Sequence, residues 1–186
     1  HGYHPLTYAR VGSIVAVASE DRAIRDVWEN AKAHPIKQGR VLHVSPATNS
    51  VDDRRLWADE KSICFFEYVY FADHRTKIDG RLVADVRWDC GKELAAMDAD
   101  GPQGIVVPVP ASAKIAASGY ANARNMRYVD VILKHPGVGR TFIETGLSRD
   151  EKLKRKYDIN ERLLQGQDII LVDDSLVRGS TPTVLV

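Results

Sequence analysis

Apolar residues fall in short runs along this chain, separated by polar stretches rich in glycine and proline. The sharpest run is Ile169-Ile170-Leu171-Val172, which ends abruptly at Asp173-Asp174. An unbroken apolar run of this length predicts a strand buried on both faces, as in a parallel sheet. Residues 105–109 predict a second buried strand, broken off by Pro108 and Pro110. Residues 13–19, 40–44 and 128–133 predict further strands, and the aromatic, β-branched run 65–71 another, with its rings in the core. Helical spacing appears in three places. Residues 21–33 place Ile24, Val27, Trp28 and Ala31 on one stripe, and residues 82–97 do the same with Val83, Val86, Cys90, Leu94 and Met97. Residues 112–123 predict a helix with Ser112 near its N-cap. Lys37-Gln38-Gly39 and Asp79-Gly80 predict turns.

Two stretches carry no such periodicity. Residues 45–61 are polar and predict a linker or a long surface loop; residues 136–146 carry three glycines and predict a flexible segment. Ser148-Arg149-Asp150-Glu151 then matches a capping box. Strands alternating with helices after residue 60 predict an α/β fold with a parallel sheet. The segment before it does not merge with that pattern. The expected organisation is therefore 1–60 as the remnant of one domain and 61–186 as a second. The chain starts at His1 and stops at Val186, within an expected helix, so it reads as a fragment cut at both ends.

Composition narrows the class. The chain is 44% hydrophobic and 27% charged, as globular domains are. Its net charge of +1 gives no sign of a nucleic-acid surface. No apolar run approaches a membrane span, and no signal peptide is visible. Two cysteines do not make a disulfide framework, which predicts a reducing cytoplasm. The six histidines show no metal-ligand spacing.

The candidate chemistry lies past residue 172. Asp173-Asp174-Ser175-Leu176-Val177-Arg178-Gly179-Ser180-Thr181 follows directly on a strand. Ligands of α/β sheets bind just beyond such strand ends. Small and hydroxyl residues there free backbone N–H groups to cradle a phosphate. Adjacent carboxylates beside a phosphate nest suit a sugar phosphate: acids for the ribose hydroxyls and a divalent metal, amides for the phosphate.

That string resembles the type I phosphoribosyltransferases, which bind 5-phosphoribosyl 1-pyrophosphate. Other stretches narrow the resemblance. They are the run from Cys64 to Ala72 (CFFEYVYFA), Ile78-Asp79-Gly80, Gly91-Lys92-Glu93-Leu94-Ala95, Val106 to Ser112, Gly119-Tyr120-Ala121, and Gly139-Arg140-Thr141-Phe142-Ile143. Together with Gly2-Tyr3-His4-Pro5-Leu6 and Val17-Ala18-Ser19-Glu20, they are similar to the glutamine phosphoribosylpyrophosphate amidotransferase family. The resemblance implies a type I phosphoribosyltransferase sheet, C-terminally truncated, after the end of an N-terminal-nucleophile glutaminase domain whose nucleophile is not in this chain. It implies transfer of ammonia from glutamine to C1 of phosphoribosyl pyrophosphate, giving 5-phosphoribosylamine, as the first step of purine synthesis.

The resemblance also implies residue roles. Asp173 and Asp174 would bind the ribose hydroxyls and, with Ser112, a Mg²⁺ ion. Ser175, Val177, Arg178, Gly179, Ser180 and Thr181 would line the 5′-phosphate loop. Lys134 and Arg140, with Lys154 and Lys156, would bring cations to the pyrophosphate. No acid, base or nucleophile is singled out. Three positions depart from the family: His4 replaces an arginine that helps hold glutamine, Ala111 an acid, and Gly137 an aromatic residue. Some members carry an iron–sulfur cluster with a ligand near Cys64, but a cluster needs about four cysteines. Expected partners are small molecules (phosphoribosyl pyrophosphate, glutamine or ammonia), without nucleic acid or membrane, in a homo-oligomer when full length. Two alternatives are a non-catalytic phosphoribosyl-pyrophosphate sensor and a transferase acting on a nucleobase.

Overall fold

The computed structural model describes residues 4–45, 47, 48, 50–57, 62–135 and 156–176. The chain divides into two compact units, His1–Val86 and Arg87–Val186.

The first unit begins with a strand that the sequence pattern did not single out, β1 (Thr7–Val11). It pairs antiparallel with β2 (Ile14–Ala18) across a two-residue link in which Gly12 takes a φ of +60°. Ile14 and Val17 of β2 are about half exposed, and β2 is an edge strand of the sheet β2-β1-β3. Helix α1 (Asp21–Val27) is shorter than its stripe predicted. Only Ile24 of the stripe is buried. The chain leaves the helix at Trp28 because β3 (Ala33–Pro35) pairs with β1, which removes those residues from the helix.

The expected linker 45–61 also contains structure. β4 (Arg40–Ser45) pairs antiparallel with β5 (Ser50–Arg55), joined across the hairpin by Arg40 Nε to Asp53 at 2.7 Å. Pairing with β4 makes a strand of a stretch whose polarity read as loop.

Residues 65–71 are not a strand. The chain turns helically at Phe65, and Glu67–Phe71 is a π-helical turn closed by the Ala72 N–H donating to the Glu67 carbonyl at 3.0 Å. Burial falls on Tyr68 and Ala72, four residues apart, which pack with Val83. Phe65, Phe66, Tyr70 and Phe71 are 49–61% exposed, so the rings expected in the core face outward. The hairpin β6 (Lys77–Ile78) to β7 (Arg81–Leu82) confirms the predicted turn: Asp79 and Gly80 both have positive φ, as a tight two-residue link requires.

The second unit holds the parallel sheet. Helix α2 (Val83–Met97) leads to β8 (Ile105–Pro108), α3 (Lys114–Ala123) and β9 (Arg127–Tyr128). The expected strand 128–133 is interrupted. Its second half is β10 (Ile132–Lys134), which pairs antiparallel with β11 (Tyr157–Ile159) in a separate two-stranded ladder. β12 (Ile169–Val172) pairs parallel with β8 from Ile169↔Ile105 to Val172↔Pro108, giving the order β12-β8-β9.

β8 is buried throughout, and its alternate residues feed two cores. Val106 packs with Ala95, Ala117, Tyr120, Ala121 and Val172, while Ile105 and Val107 pack with Val129, Val131 and Ile132. β12 is less buried than its composition predicted: Ile169 is 44% exposed and only Val172 is buried, because among the described residues β12 pairs with β8 alone.

On α2 the buried line is Val83, Arg87, Gly91 and Ala95, while Leu94 and Met97 of the expected stripe are exposed. Small residues set this face. A Cβ on Gly91 would lie 1.9 Å from the Ala116 carbonyl oxygen, and one on Gly119 would lie 2.4 Å from that of Trp88. The two helices meet backbone to backbone, which larger apolar residues would prevent.

Candidate functional site

The carboxyl ends of the three parallel strands deliver the chemistry-bearing residues. β12 ends at Val172 and is followed by Asp173, Asp174 and Ser175. β8 ends at Pro108 and is followed by the segment carrying Ser112, in which the Pro110–Ala111 peptide is cis. β9 ends at Tyr128, two residues before Asp130. The Val109 N–H donates to the Val172 carbonyl at 2.8 Å, which ties the first two strand exits together.

Ser112 does not cap α3. Ala113 occupies the N-cap position and no side chain caps the helix. The Ser112 hydroxyl donates instead to Asp174 Oδ2 in a very short hydrogen bond. The other oxygen of Asp174 accepts from the Ser175 hydroxyl at 2.8 Å, and the Asp174 N–H donates to Asp173 Oδ1 at 2.8 Å. Both carboxylates are thereby oriented by hydroxyl and backbone donors before any ligand arrives.

Burial pushes the Asp173 carboxyl above the ordinary carboxylate range. The Asp174 N–H works against this, the Asp174 charge adds to it, and the charge of Lys156 opposes it. A desolvated carboxylate of this kind gains when a cation or hydroxyl donors arrive. Lys156, an expected loop cation, thus acts electrostatically on Asp173; its ammonium also lies 5.2 Å from the centre of the Tyr157 ring. Lys134 is an exposed residue of β10, paired in register with Tyr157. Val177, Arg178, Gly179, Ser180, Thr181, Gly137, Arg140 and Lys154 lie outside the described residues, as does the capping box at Ser148.

The donor set suits Mg²⁺. Two carboxylates and a hydroxyl are hard oxygen donors, and Mg²⁺ takes the rest of its shell from water and substrate phosphates. Among the described residues no three His, Cys, Asp or Glu side chains gather into a metal cage. Cys64 and Cys90 are partly buried and form no disulfide; two cysteines do not supply the thiolates of an iron–sulfur cluster.

Two charged residues at this edge went unnoticed in the sequence. Lys114 opens α3, and its ammonium lies 2.7 Å from Asp130 Oδ2. A cation in the first turn of a helix opposes the helix dipole, and that was the available signal. In the first unit, Glu67 is buried and its carboxylate lies 2.8 Å from Nδ1 of His4, an exposed imidazole. No described helix is long and apolar enough to cross a membrane.

No family model matches the chain. Individual proteins do. The chain is 38% identical over 191 residues to the amidophosphoribosyltransferase of Methanothermobacter thermautotrophicus, covering 100% of this chain and 39% of that protein. It is 34% identical to the amidophosphoribosyltransferase of Bacillus subtilis, covering 97% and 38%. Its fold matches the solved glutamine phosphoribosylpyrophosphate amidotransferase of B. subtilis, complexed with ADP and GMP, with a TM-score of 0.81 at 33% identity over 97% of this chain and 39% of that one. The chain thus spans about two fifths of the length of these relatives.

Proposed function

We propose, from the premise that this chain corresponds in sequence and fold to a stretch of the amidophosphoribosyltransferases, that it binds 5-phosphoribosyl 1-pyrophosphate at the carboxyl edge of its parallel sheet. It would serve there in the glutamine-dependent formation of 5-phosphoribosylamine. The observation that carries the reading is the Ser112–Asp174–Ser175 network beside the desolvated Asp173.

The reaction develops positive charge at the anomeric carbon while pyrophosphate takes up negative charge. Fixed charges and dipoles aimed at those positions supply most of such catalysis. Asp173 and Asp174 accept hydrogen bonds from the ribose hydroxyls and hold the ring in one orientation. The Ser112 and Ser175 hydroxyls fix the Asp174 carboxylate, so little reorganisation is needed when the sugar binds. The resemblance assigns Val177 to Thr181 to the 5′-phosphate, and Lys134, Arg140 and Lys156 would supply positive charge to the pyrophosphate. Asp173, Asp174 and Ser112 would hold Mg²⁺, which would supply charge neutralisation for the pyrophosphate. The domain division at residues 60 and 61, a cytoplasmic setting and a homo-oligomer of the full-length protein belong to the same proposal.

The test is titration of phosphoribosyl pyrophosphate with Mg²⁺ into the full-length protein of which this chain is a part, followed by its turnover with glutamine and with ammonium. Binding with turnover supports the proposal; binding without turnover favours a sensor, and no binding removes the site. Asp174→Asn is expected to weaken binding or turnover roughly tenfold or more, since a charge-assisted hydrogen bond contributes ~1.5–3 kcal/mol. An unchanged steady-state profile would exclude Asp174 from the site.

A further inference from the structure

We infer that Lys114 is a further anion-binding residue of this site, one that contacts the pyrophosphate of the substrate and gives up Asp130 to do so. The inference rests on the proposed binding of phosphoribosyl pyrophosphate at the sheet's carboxyl edge.

Three observations carry it. The first is placement. Lys114 stands two residues after Ser112, whose hydroxyl is bonded to Asp174, and Asp130 stands two residues past the end of β9. Lys114 therefore follows β8, the neighbour of β12, and Asp130 follows β9, the next strand beyond β8, both at the carboxyl edge of the sheet that Asp173 and Asp174 leave. The second is the state of the pair. Lys114 Nζ and Asp130 Oδ2 are 2.7 Å apart, and the side chains are 39% and 34% exposed. A pair this open to water contributes little to stability, so exchanging one carboxylate for another anion meets little resistance. The third is the cost of the position. Lys114 is the first residue of α3, where a cation works against the helix dipole. Helix stability therefore does not explain the residue, and a break of a local rule at a site edge is where function is expected.

The chemistry follows from charge. Asp130 offers one negative charge, whereas pyrophosphate offers several oxygens and a larger charge. A lysine is a mobile point charge on a flexible stem, suited to leaving the first for the second. Ala111, three residues before Lys114, carries a neutral side chain. The anion approaching Lys114 therefore meets no carboxylate from that position.

The experiment is calorimetric titration of inorganic pyrophosphate with Mg²⁺, and separately of ribose 5-phosphate, into the protein and into Lys114→Met, Lys114→Arg and Asp130→Asn. Thermal melts confirm that each variant is folded. Lys114→Met is expected to weaken pyrophosphate roughly tenfold and leave ribose 5-phosphate unchanged. Lys114→Arg should keep most of the affinity. Asp130→Asn should tighten pyrophosphate, because the ammonium no longer has a competing partner. A tether with only a structural role would instead make Lys114→Met and Asp130→Asn weaken binding alike, and that result overturns the inference. Equal pyrophosphate affinity in all four proteins also overturns it, while leaving the ribose-phosphate site intact if ribose 5-phosphate still binds. Failure of the unaltered protein to bind either probe removes the site and Lys114's role together. Should Lys114→Met not fold, Asp130→Asn decides: tightening supports the inference and weakening ends it.

Discussion

Residues 65–71 and the strand β8 read alike along the chain, as short runs of large apolar residues that predict buried strands. They fold differently. β8 is buried at every position and feeds cores on both faces of the parallel sheet. The aromatic run curls into a π-helical turn that buries Tyr68 and Glu67 and leaves four rings facing outward. The difference lies in the neighbours. β8 has a parallel strand on each side and therefore ladder partners for both its edges. The aromatic run has none among the described residues and closes its hydrogen bonds within itself. Apolar composition fixes that a segment is worth burying; available partners fix its shape.

The largest effect that could break this comparison is expected at Gly91. Gly91→Ala places a methyl group against the Ala116 carbonyl and should destabilise the second unit by about 3 kcal/mol, the upper part of the range for overpacking. A urea midpoint unchanged from that of the unaltered protein would mean that α2 and α3 do not meet at these glycines. Next comes Val106→Ala within β8, expected to cost ~2 kcal/mol because the side chain is fully buried. Phe71→Ser, in the aromatic run, should change stability by less than ~0.5 kcal/mol. Chemical denaturation of both variants checks the contrast, and a larger cost at Phe71 than at Val106 would reverse it.

The smallest effect sharpens the comparison through pH. Asp173, beyond β12, has its pKa raised by burial, so its contribution to stability is present below the ordinary value of 3.8 and is lost as pH rises through the folded-state value. Asp73, in the first unit, has its pKa lowered by hydrogen bonds from Arg75, so its contribution is present above 3.8 and is lost as pH falls. Asp173→Asn should flatten the decline on the alkaline side and Asp73→Asn the decline on the acid side. Urea midpoints across roughly pH 1 to 7 read both slopes. The Asp73 effect should be slight, since the pair with Arg75 is half open to solvent. Slopes of the same sign in the two variants would contradict the opposed environments.

Much of the candidate site was legible before any fold was known. An apolar run meeting Asp173-Asp174, and a second run meeting Ser112, mark two strand exits by composition alone. Their convergence was not legible, since it depends on β12 lying beside β8 in register. Ser112 shows the limit clearly. Its place before a helix predicted a cap, and a neighbouring strand offered Asp174 instead. Lys114 and Asp130 lie 16 residues apart with no motif between them, and only the adjacency of β8 and β9 brings them to 2.7 Å.

The sequence by itself determined the α/β class, the second and third helices to within a few residues, the turn at Asp79-Gly80 and the parallel strands β8 and β12. Periodicity, turn chemistry and apolar runs are local properties, and they suffice for these. Tertiary structure alone decided that 65–71 is helical, that 45–61 contains a strand and that α2 buries Gly91 rather than Leu94. It also decided that 128–133 is shared between two sheets. Each of these depends on what a distant segment offers: a strand edge to pair with, a backbone close enough to exclude a Cβ, or a carboxylate to receive a hydroxyl. A hydrogen bond or a close contact with a partner far along the chain outweighs a local preference of a few tenths of a kcal/mol per residue.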